Sequence, residues 1–144
     1  MFEYLIIVHY FTTLIMTGAI WLAQLSQYPL LEYVGKRNFI NYEKQHIHRI
    51  SGIAWFIIYL EIITGAALLF YTPSFISFWV PAAGFVLVCI IWATTHFIQY
   101  PIHKKLAHGF DKDLLNKLVK TNWIRTIVWS LRAILWSIVI FKMF

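Results

Sequence analysis

Charged residues are scarce in this sequence. Asp, Glu, Lys and Arg make up 12% of its 144 residues, about half the share in soluble domains, whereas hydrophobic residues make up 60%. A chain of this length cannot hide so many apolar side chains in its own core, because small folds keep much of their surface in contact with the surroundings. The composition excludes an ordinary soluble domain and predicts a membrane protein.

Other absences exclude whole classes of chemistry. Cys89 is the single cysteine, so neither a disulfide framework nor a thiolate metal cluster is expected. The sequence has no glycine-rich phosphate loop, which argues against ATP-driven chemistry. Basic residues outnumber acidic ones by 12 to 6, but in a membrane protein such an excess reports orientation. We therefore expect no nucleic-acid partner.

Four apolar segments have the length of about 20 residues that a helix needs to cross a bilayer. We place the spans at Tyr4–Ser26, Ile50–Tyr71, Phe78–Gln99 and Ile124–Phe144, with connections at 27–49 and 100–123. The predicted fold is an all-α bundle of four transmembrane helices in one domain, residues 1–144. No signal-peptide pattern precedes the first span, which we expect to stay in the protein.

The basic residues are unevenly placed. Ten of the twelve lie in or directly beside the first and third connections, whereas the connection between the second and third spans has no charge. By the positive-inside rule the two basic connections are cytoplasmic. The sequence thus predicts a bacterial inner-membrane protein with both termini outside.

Both basic connections also carry helical patterns. The segment KRNFINYEKQHIHRISG has no proline and could run unbroken into the second span. The segment DKDLLNKLVKTNWIRT has apolar residues at i, i+3 and i+4 spacing. Asp111 or Asp113 is the expected N-cap of that helix.

The chain repeats a short motif. Gln27-Tyr28-Pro29 ends the first span and Gln99-Tyr100-Pro101 ends the third, and each copy is followed by a basic connection. Downstream, Arg49 aligns with Arg125. We interpret the bundle as two repeated helical hairpins, a plan that often places a binding site between the halves of a membrane protein.

Two opposite charges fall inside predicted spans. Glu61 lies in the second span and Arg132 in the fourth, at similar depths. Charges inside lipid cost about 2.5–3.5 kcal/mol each on insertion scales, so we expect the two side chains to form a buried ion pair. Glu61 could in addition act as a proton acceptor beside Arg132.

Polar residues also recur in pairs, three positions apart, near the cytoplasmic ends of all four spans, where a helix presents both members on one face. The pairs are Gln24 and Gln27, His46 and Arg49, His96 and Gln99, and Asn122 and Arg125. We expect these residues to line a ligand pocket that opens to the cytoplasm, with Glu61 and Arg132 as its floor. His96, which titrates near neutral pH, is the expected catalytic residue beside Glu61 and Arg132. Such a pocket suits a quinone, a polyphenol or a porphyrin.

Metal chemistry is the competing interpretation. Glu43 and His46 have the i, i+3 spacing of carboxylate-bridged di-iron sites, but those sites need the motif on two helices and only one copy is present. Haem stays open as a cofactor, with His96 and either His46 or His48 as axial ligands.

The second hairpin, FIQYPIHKKLAHGFD…NWIRTIVWSLRAIL, resembles the end of small bacterial four-span proteins of the anthrone-oxygenase-like group, whose function is unknown. The motif covers about half the chain, and the matching residues are Gln99, Pro101, His103, Asn122, Trp123, Arg125 and Thr126. A fainter likeness, carried by the four-span plan and His9, is to the membrane protoporphyrinogen oxidases that bind haem b. The first resemblance implies a membrane protein acting on aromatic or quinone-like compounds.

These observations lead to one favoured function and two alternatives. The favoured one is a membrane oxidoreductase or oxygenase-like protein that binds or oxidises a hydrophobic aromatic or quinone-type molecule. The alternatives are a haem-binding membrane protein and a non-catalytic helper subunit that docks a partner through its basic loops. The expected partners are the lipid bilayer, a small hydrophobic aromatic ligand and, as an open question, a second copy of the chain.

Overall fold

The computed structural model of the protein describes residues 2–143, so Phe144, the predicted end of the fourth span, lies outside the described residues. The helices are α1 (Phe2–Leu22), α2 (Tyr28–Leu30), α3 (Lys36–Phe70), α4 (Trp79–Thr94), α5 (Tyr100–Leu106) and α6 (Lys112–Met143). No β-strand occurs within residues 2–143. The predicted all-α fold is confirmed.

Two five-residue π-helical turns, Ala23–Gln27 and Thr95–Gln99, join α1 to α2 and α4 to α5, so each pair forms one long rod. A 3₁₀ turn, Leu31–Tyr33, comes after α2. Four rods are long and apolar enough to cross a membrane: Glu3–Tyr33, Lys36–Phe70, Trp79–Leu106 and Lys112–Met143. The helices thus extend well beyond the predicted spans, and α3 runs without a break from the first basic connection, as expected.

The four rods form a bundle in which each has two neighbours. Helices α1 and α4 both pack against α3 and against α6. Helix α3 therefore lies diagonally across the bundle from α6. Large apolar side chains, among them Phe11, Phe56 and Ile63, are exposed on the outside of the bundle, as expected for a surface that faces lipid.

The π turns stand directly before the prolines of the repeated motif. A proline ring clashes with the carbonyl four residues earlier in a regular α-helix. In both copies the tyrosine before the proline instead bonds five residues back: Tyr28 N–H to the Ala23 carbonyl, and Tyr100 N–H to the Thr95 carbonyl. These wider turns are frequent at functional sites.

The ends of the helices are fixed by local interactions. Gly35, at φ 78°, precedes α3 and adopts a backbone conformation that side chains other than glycine rarely allow. The Asp111 carboxylate accepts hydrogen bonds from the N–H groups of Asp113 and Leu114 at 2.9 and 3.0 Å, which confirms Asp111 as the N-cap of α6.

Candidate functional site

Two buried polar clusters lie along α6, one around Arg125 and one around Arg132. The two arginines are seven positions apart, so they lie on the same face of α6 at a distance of about 10 Å along the helix. The Arg132 cluster comprises His9, Glu61, Thr64, Trp129 and Arg132. The Arg125 cluster comprises Gln24, Tyr28, Glu43, Thr95, Gln99, His103, Asn122, Arg125 and Thr126.

The Arg132 cluster is built on an ion pair. The Arg132 guanidinium donates to the Glu61 carboxylate, and both side chains are fully buried, so the predicted ion pair is confirmed. The Trp129 indole N–H donates to the same carboxylate oxygen at 3.3 Å. On the other side, Arg132 Nη2 lies 3.1 Å from His9 Nε2, and His9 Nδ1 lies 2.6 Å from the Thr64 hydroxyl. The charge of Arg132 is thereby neutralised inside the bundle.

The Arg125 cluster begins with amides. Gln24 donates to the Val119 carbonyl at 3.2 Å and accepts from the Asn122 amide at 2.9 Å. Asn122 Oδ1 in turn accepts from Arg125 Nε at 2.9 Å. Gln99 donates to the Thr121 hydroxyl at 2.7 Å. Gln24 and Gln99, one glutamine from each π turn, therefore hold α6 in place.

Arg125 is 7% exposed, and its remaining contacts are with neutral groups. Its Nη2 donates to the Tyr28 hydroxyl at 3.1 Å and to Gln99 Oε1 at 3.5 Å, and its Nη1 donates to the Thr95 hydroxyl at 3.4 Å. None of the ion pairs among residues 2–143 includes Arg125. A buried guanidinium without a carboxylate favours the binding of an anion or of a strongly polar oxygen.

Tyr28 connects Arg125 to a second set of ionisable groups. Its hydroxyl lies 3.3 Å from His103 Nε2, and His103 Nδ1 lies 2.5 Å from Glu43 Oε1. Glu43 is fully buried, and its second oxygen has no hydrogen-bond partner among the described residues. The His46 ring stacks on that of His103 at 5.4 Å. Glu43, His103 and Tyr28 thus form a continuous line that ends at Arg125.

Two clefts flank α3 and meet at the Arg125 cluster. The first, the α4-side cleft, has an empty volume of about 470 Å³ including its open mouth. The second, the α1-side cleft, has a volume of about 620 Å³ counted in the same way. Tyr28, His46, Ile50, Ala54 and Arg125 line both clefts.

The remaining walls are mainly apolar and aromatic. Trp55 and Thr95 line the α4-side cleft, where His103 also contributes. Ile58 and Trp129 line the α1-side cleft. Polar groups are thus gathered at one end of two apolar spaces, an arrangement typical of sites for small lipophilic molecules.

The structure brings together half of the eight residues predicted to form the polar pairs. Gln24, Gln99, Asn122 and Arg125 belong to one hydrogen-bonded cluster. His46 and Gln27 lie at the edge of this cluster and line the α1-side cleft. The other two pair members, Arg49 and His96, are exposed.

His96 lies apart from the Arg125 cluster. Its ring stacks on that of Trp92 at 5.3 Å and meets the edge of the Trp55 ring at 6.0 Å. The π turn from Thr95 to Gln99 explains the separation, because residues three apart share a face in an α-helix but not in the wider turn. Gln99 consequently points inward while His96 does not.

Glu61 and Arg132 do not form the floor of either cleft. They are not among the residues that line the two spaces, and Trp129, which donates to Glu61, borders the α1-side cleft instead. The structure therefore separates the ion pair from the space in which a ligand could bind.

Metal ligands are not clustered in the part of the chain that the structure describes. No group of three or more His, Cys, Asp or Glu residues is arranged to hold an ion there. The two histidines named for haem have different surroundings: His46 contacts Tyr28 and His103, whereas His96 contacts Trp55 and Trp92. His48 is exposed.

Five residues of the cluster are not among the site residues predicted from the sequence: Thr95 and Thr126, which contribute hydroxyl groups, and Tyr28, Glu43 and His103. Tyr28 was seen only as part of the repeated motif, Glu43 only as half of a di-iron motif, and His103 only within the resemblance. Glu43 is one of two acidic residues, with Glu32, in the first basic connection, so its charge alone did not distinguish it. Tyr28 could not be distinguished from Tyr100, since both precede the proline of the same motif.

The Arg125 cluster combines a buried cation, a tyrosine hydroxyl and a histidine–carboxylate pair beside two apolar clefts. These groups can donate and accept hydrogen bonds and exchange protons. Comparison with known proteins adds no assignment: no family model, no curated protein and no solved structure matches the chain.

Proposed function

We propose that this protein is an integral inner-membrane protein that binds a lipophilic molecule of the quinone or phenol type, with the oxygen-bearing edge of the molecule at Arg125. The observation that carries the proposal is the position of Arg125. Its charge is buried, it has no carboxylate partner among residues 2–143, and it lies where the two clefts meet.

The charge decides which chemistry the site prefers. Electrostatic interactions are stronger in the low dielectric of a bundle than in water, so an uncompensated guanidinium favours an anionic or carbonyl oxygen beside it. The contacts from Arg125 to Thr95 and Gln99, at 3.4 and 3.5 Å, are long for hydrogen bonds. A ligand oxygen could replace them at little cost.

The residues that line the clefts determine which shape of ligand fits and from which side it enters. Trp55, His46 and Trp129 offer flat ring surfaces, and Ile50 and Ile58 offer aliphatic ones. Ile50 lines both clefts and is 43% exposed, which supports an opening of the clefts at this residue. We infer that the ligand enters from the bilayer with its apolar part along α3.

The resemblance to the anthrone-oxygenase-like group supports the same proposal. Five residues of the resembling motif belong to the Arg125 cluster: Gln99, His103, Asn122, Arg125 and Thr126. In the repeat hypothesis, the π turns at equivalent positions of the two hairpins support a common origin of the halves. As an enzyme, the protein would oxidise the bound molecule.

The orientation is part of the proposal. The basic connections lie at the end of the bundle that carries the Arg125 cluster, so the positive-inside rule puts this cluster on the cytoplasmic side. A reporter fused after the last helix should be active outside the cytoplasm. Activity inside would reverse the orientation.

The test of binding is quenching of tryptophan fluorescence by a short-chain benzoquinone added to the protein in mild detergent. Trp55 and Trp129 line the clefts, so a bound quinone should quench both. Ala54 lines both clefts, so Ala54→Phe narrows the space where they meet without removing a hydrogen bond. The substitution should weaken binding about tenfold or more. The matched control is Ile53→Phe, one residue away and 63% exposed, which should bind as the wild type does.

Three outcomes would contradict the proposal. Equal affinities of the Ala54→Phe and Ile53→Phe variants would show that the quinone does not occupy the clefts. A Soret band in the absorption spectrum of the purified protein would favour the haem alternative. A protein that shows neither haem nor quinone binding would leave the helper subunit as the better interpretation.

A further inference from the structure

Tyr28 differs from the other residues that line the clefts in having both a cation and a base on its hydroxyl. Arg125 Nη2 donates to the hydroxyl oxygen at 3.1 Å, and His103 Nε2 lies 3.3 Å from the same oxygen. An arginine at this position stabilises a phenolate, and a neutral imidazole nitrogen accepts a proton. Tyr28 is 6% exposed and lines both clefts.

The direction of the hydrogen bonds is set by Glu43. A carboxylate can only accept, so the His103 Nδ1–H must donate to Glu43 Oε1, at 2.5 Å. In the neutral imidazole this leaves Nε2 as the acceptor for the Tyr28 O–H. The tautomer is therefore set by a fully buried carboxylate, which also stabilises the imidazolium that forms when Nε2 takes a proton.

We propose that Tyr28 is the group that exchanges a proton with the bound ligand, and that His103 and Glu43 are its positioning residues. This inference rests on the proposed function and assigns the ligand class more narrowly. The ligand is a weakly acidic lipophilic molecule with an ionisable O–H, such as a phenol, an enol or a hydroquinone.

The proton transfer is balanced without any further reactant. The ligand O–H bond breaks and its proton passes to the Tyr28 oxygen, while the proton of Tyr28 passes to His103 Nε2. The products are a ligand anion beside Arg125 and an imidazolium beside Glu43. Nothing is oxidised or reduced in this step, and each new charge has an opposite charge next to it.

Other charged or titratable groups near Tyr28 are few. The His46 ring lies 6.3 Å from the Tyr28 ring and stacks on that of His103. Tyr28 is thus faced by one ionisable side chain from each of three helices: His46 of α3, His103 of α5 and Arg125 of α6. Glu43 reaches Tyr28 only through His103. A pH dependence of the transfer therefore has its source in Tyr28, the ligand, His103, His46 or Glu43, whereas Arg125 keeps its charge.

The test uses 4-nitrophenol carrying an alkyl tail as the probe, because its neutral and ionised forms absorb at different wavelengths. Affinity is measured by quenching of tryptophan fluorescence, and the ratio of ionised to neutral bound probe is measured by absorbance at fixed pH. The wild-type protein should hold the probe mainly in its ionised form. Tyr28→Phe, which removes one hydroxyl group, should lower the ratio about tenfold or more, the size expected for a hydrogen bond to a charged group.

Two further variants separate a chemical role from a structural one. Glu43→Gln keeps the size of the side chain but removes its charge, and it should also lower the ratio. The control is Tyr42→Phe. Tyr42 precedes Glu43 in the chain and is 43% exposed, so its substitution should leave the ratio unchanged. All variants are compared at saturating probe, so a change in affinity alone does not move the ratio.

The outcomes distinguish this inference from the proposed function. A wild-type protein that does not bind the probe overturns both. Tight binding with the same ionised fraction in wild type and Tyr28→Phe overturns the inference and leaves the binding site standing. A lowered fraction in Tyr28→Phe and Glu43→Gln, but not in Tyr42→Phe, is the result that the geometry predicts.

Discussion

The two buried arginines of α6 have opposite surroundings. Arg132 is paired with the Glu61 carboxylate, and neither residue borders the clefts. Arg125 has only amides, hydroxyls and a phenol around it, and it borders both clefts. Two arginines on one face of one helix thus differ both in whether the protein supplies the opposite charge and in whether they border a cleft.

We propose that this difference separates a charge that stabilises the fold, on Arg132, from a charge that binds a ligand, on Arg125. A charge inside the bundle must be compensated, because its transfer out of water is costly. Glu61 compensates Arg132 permanently, whereas the ligand completes the compensation of Arg125 in our account. The lack of a carboxylate beside Arg125 is informative because Arg132, seven positions further along the same helix, does have one.

The largest expected effect is on stability at Arg132. Glu61→Gln or Arg132→Met alone should lower the free energy of unfolding by about 3–5 kcal/mol, because each leaves the other charge buried without its partner. The double variant should lose less than the sum of the two. Denaturant unfolding in detergent of the two single variants and the double variant measures this coupling, and strictly additive losses would show that the ion pair does not exist.

The same substitution at Arg125 sharpens the comparison and should have a smaller effect. Arg125→Met leaves hydrogen-bonding groups of Asn122 and Tyr28 without a partner but strands no carboxylate that is paired with the arginine. We expect a loss of about 1–3 kcal/mol in the same unfolding measurement, the cost of unsatisfied neutral groups. A loss as large as that of Arg132→Met would remove the distinction between the two arginines.

The sequence allowed the main features of the fold to be predicted. The four spans are indicated by the length of apolar runs, the unbroken start of α3 by the lack of proline, and the Glu61–Arg132 pair by the cost of single charges in lipid. Each of these depends on one segment or on one strong energetic term, which is why a sequence pattern is enough.

The candidate site could be predicted only in part. A regular helix through both copies of the repeated motif would place residues three apart on one face, but the π turns rotate the residues after them. Gln99 therefore faces inward while His96, three residues earlier, is exposed. Tyr28 and Tyr100 differ for a related reason: the same motif packs against different neighbours, so the first is 6% exposed and the second 37%.

The positions of Glu43 and His103 in the site depend on how the helices pack against one another. They are 60 positions apart in the chain, and the 2.5 Å contact between them exists only because α5 packs against the start of α3. No local pattern around either residue carries that information. A contact of this kind needs the tertiary structure.

The most direct test of the central claim compares an acidic ligand with its uncharged analogue. Alkyl-tailed 4-nitrophenol and its O-methyl ether have nearly the same shape, but only the phenol can become an anion beside Arg125. We predict that the wild-type protein binds the phenol about tenfold or more tightly than the ether, the range of a charge-assisted hydrogen bond, and that Arg125→Met binds the two equally. A preference for the phenol that survives in Arg125→Met, or no preference in the wild-type protein, would contradict the assignment of Arg125 as the binding charge.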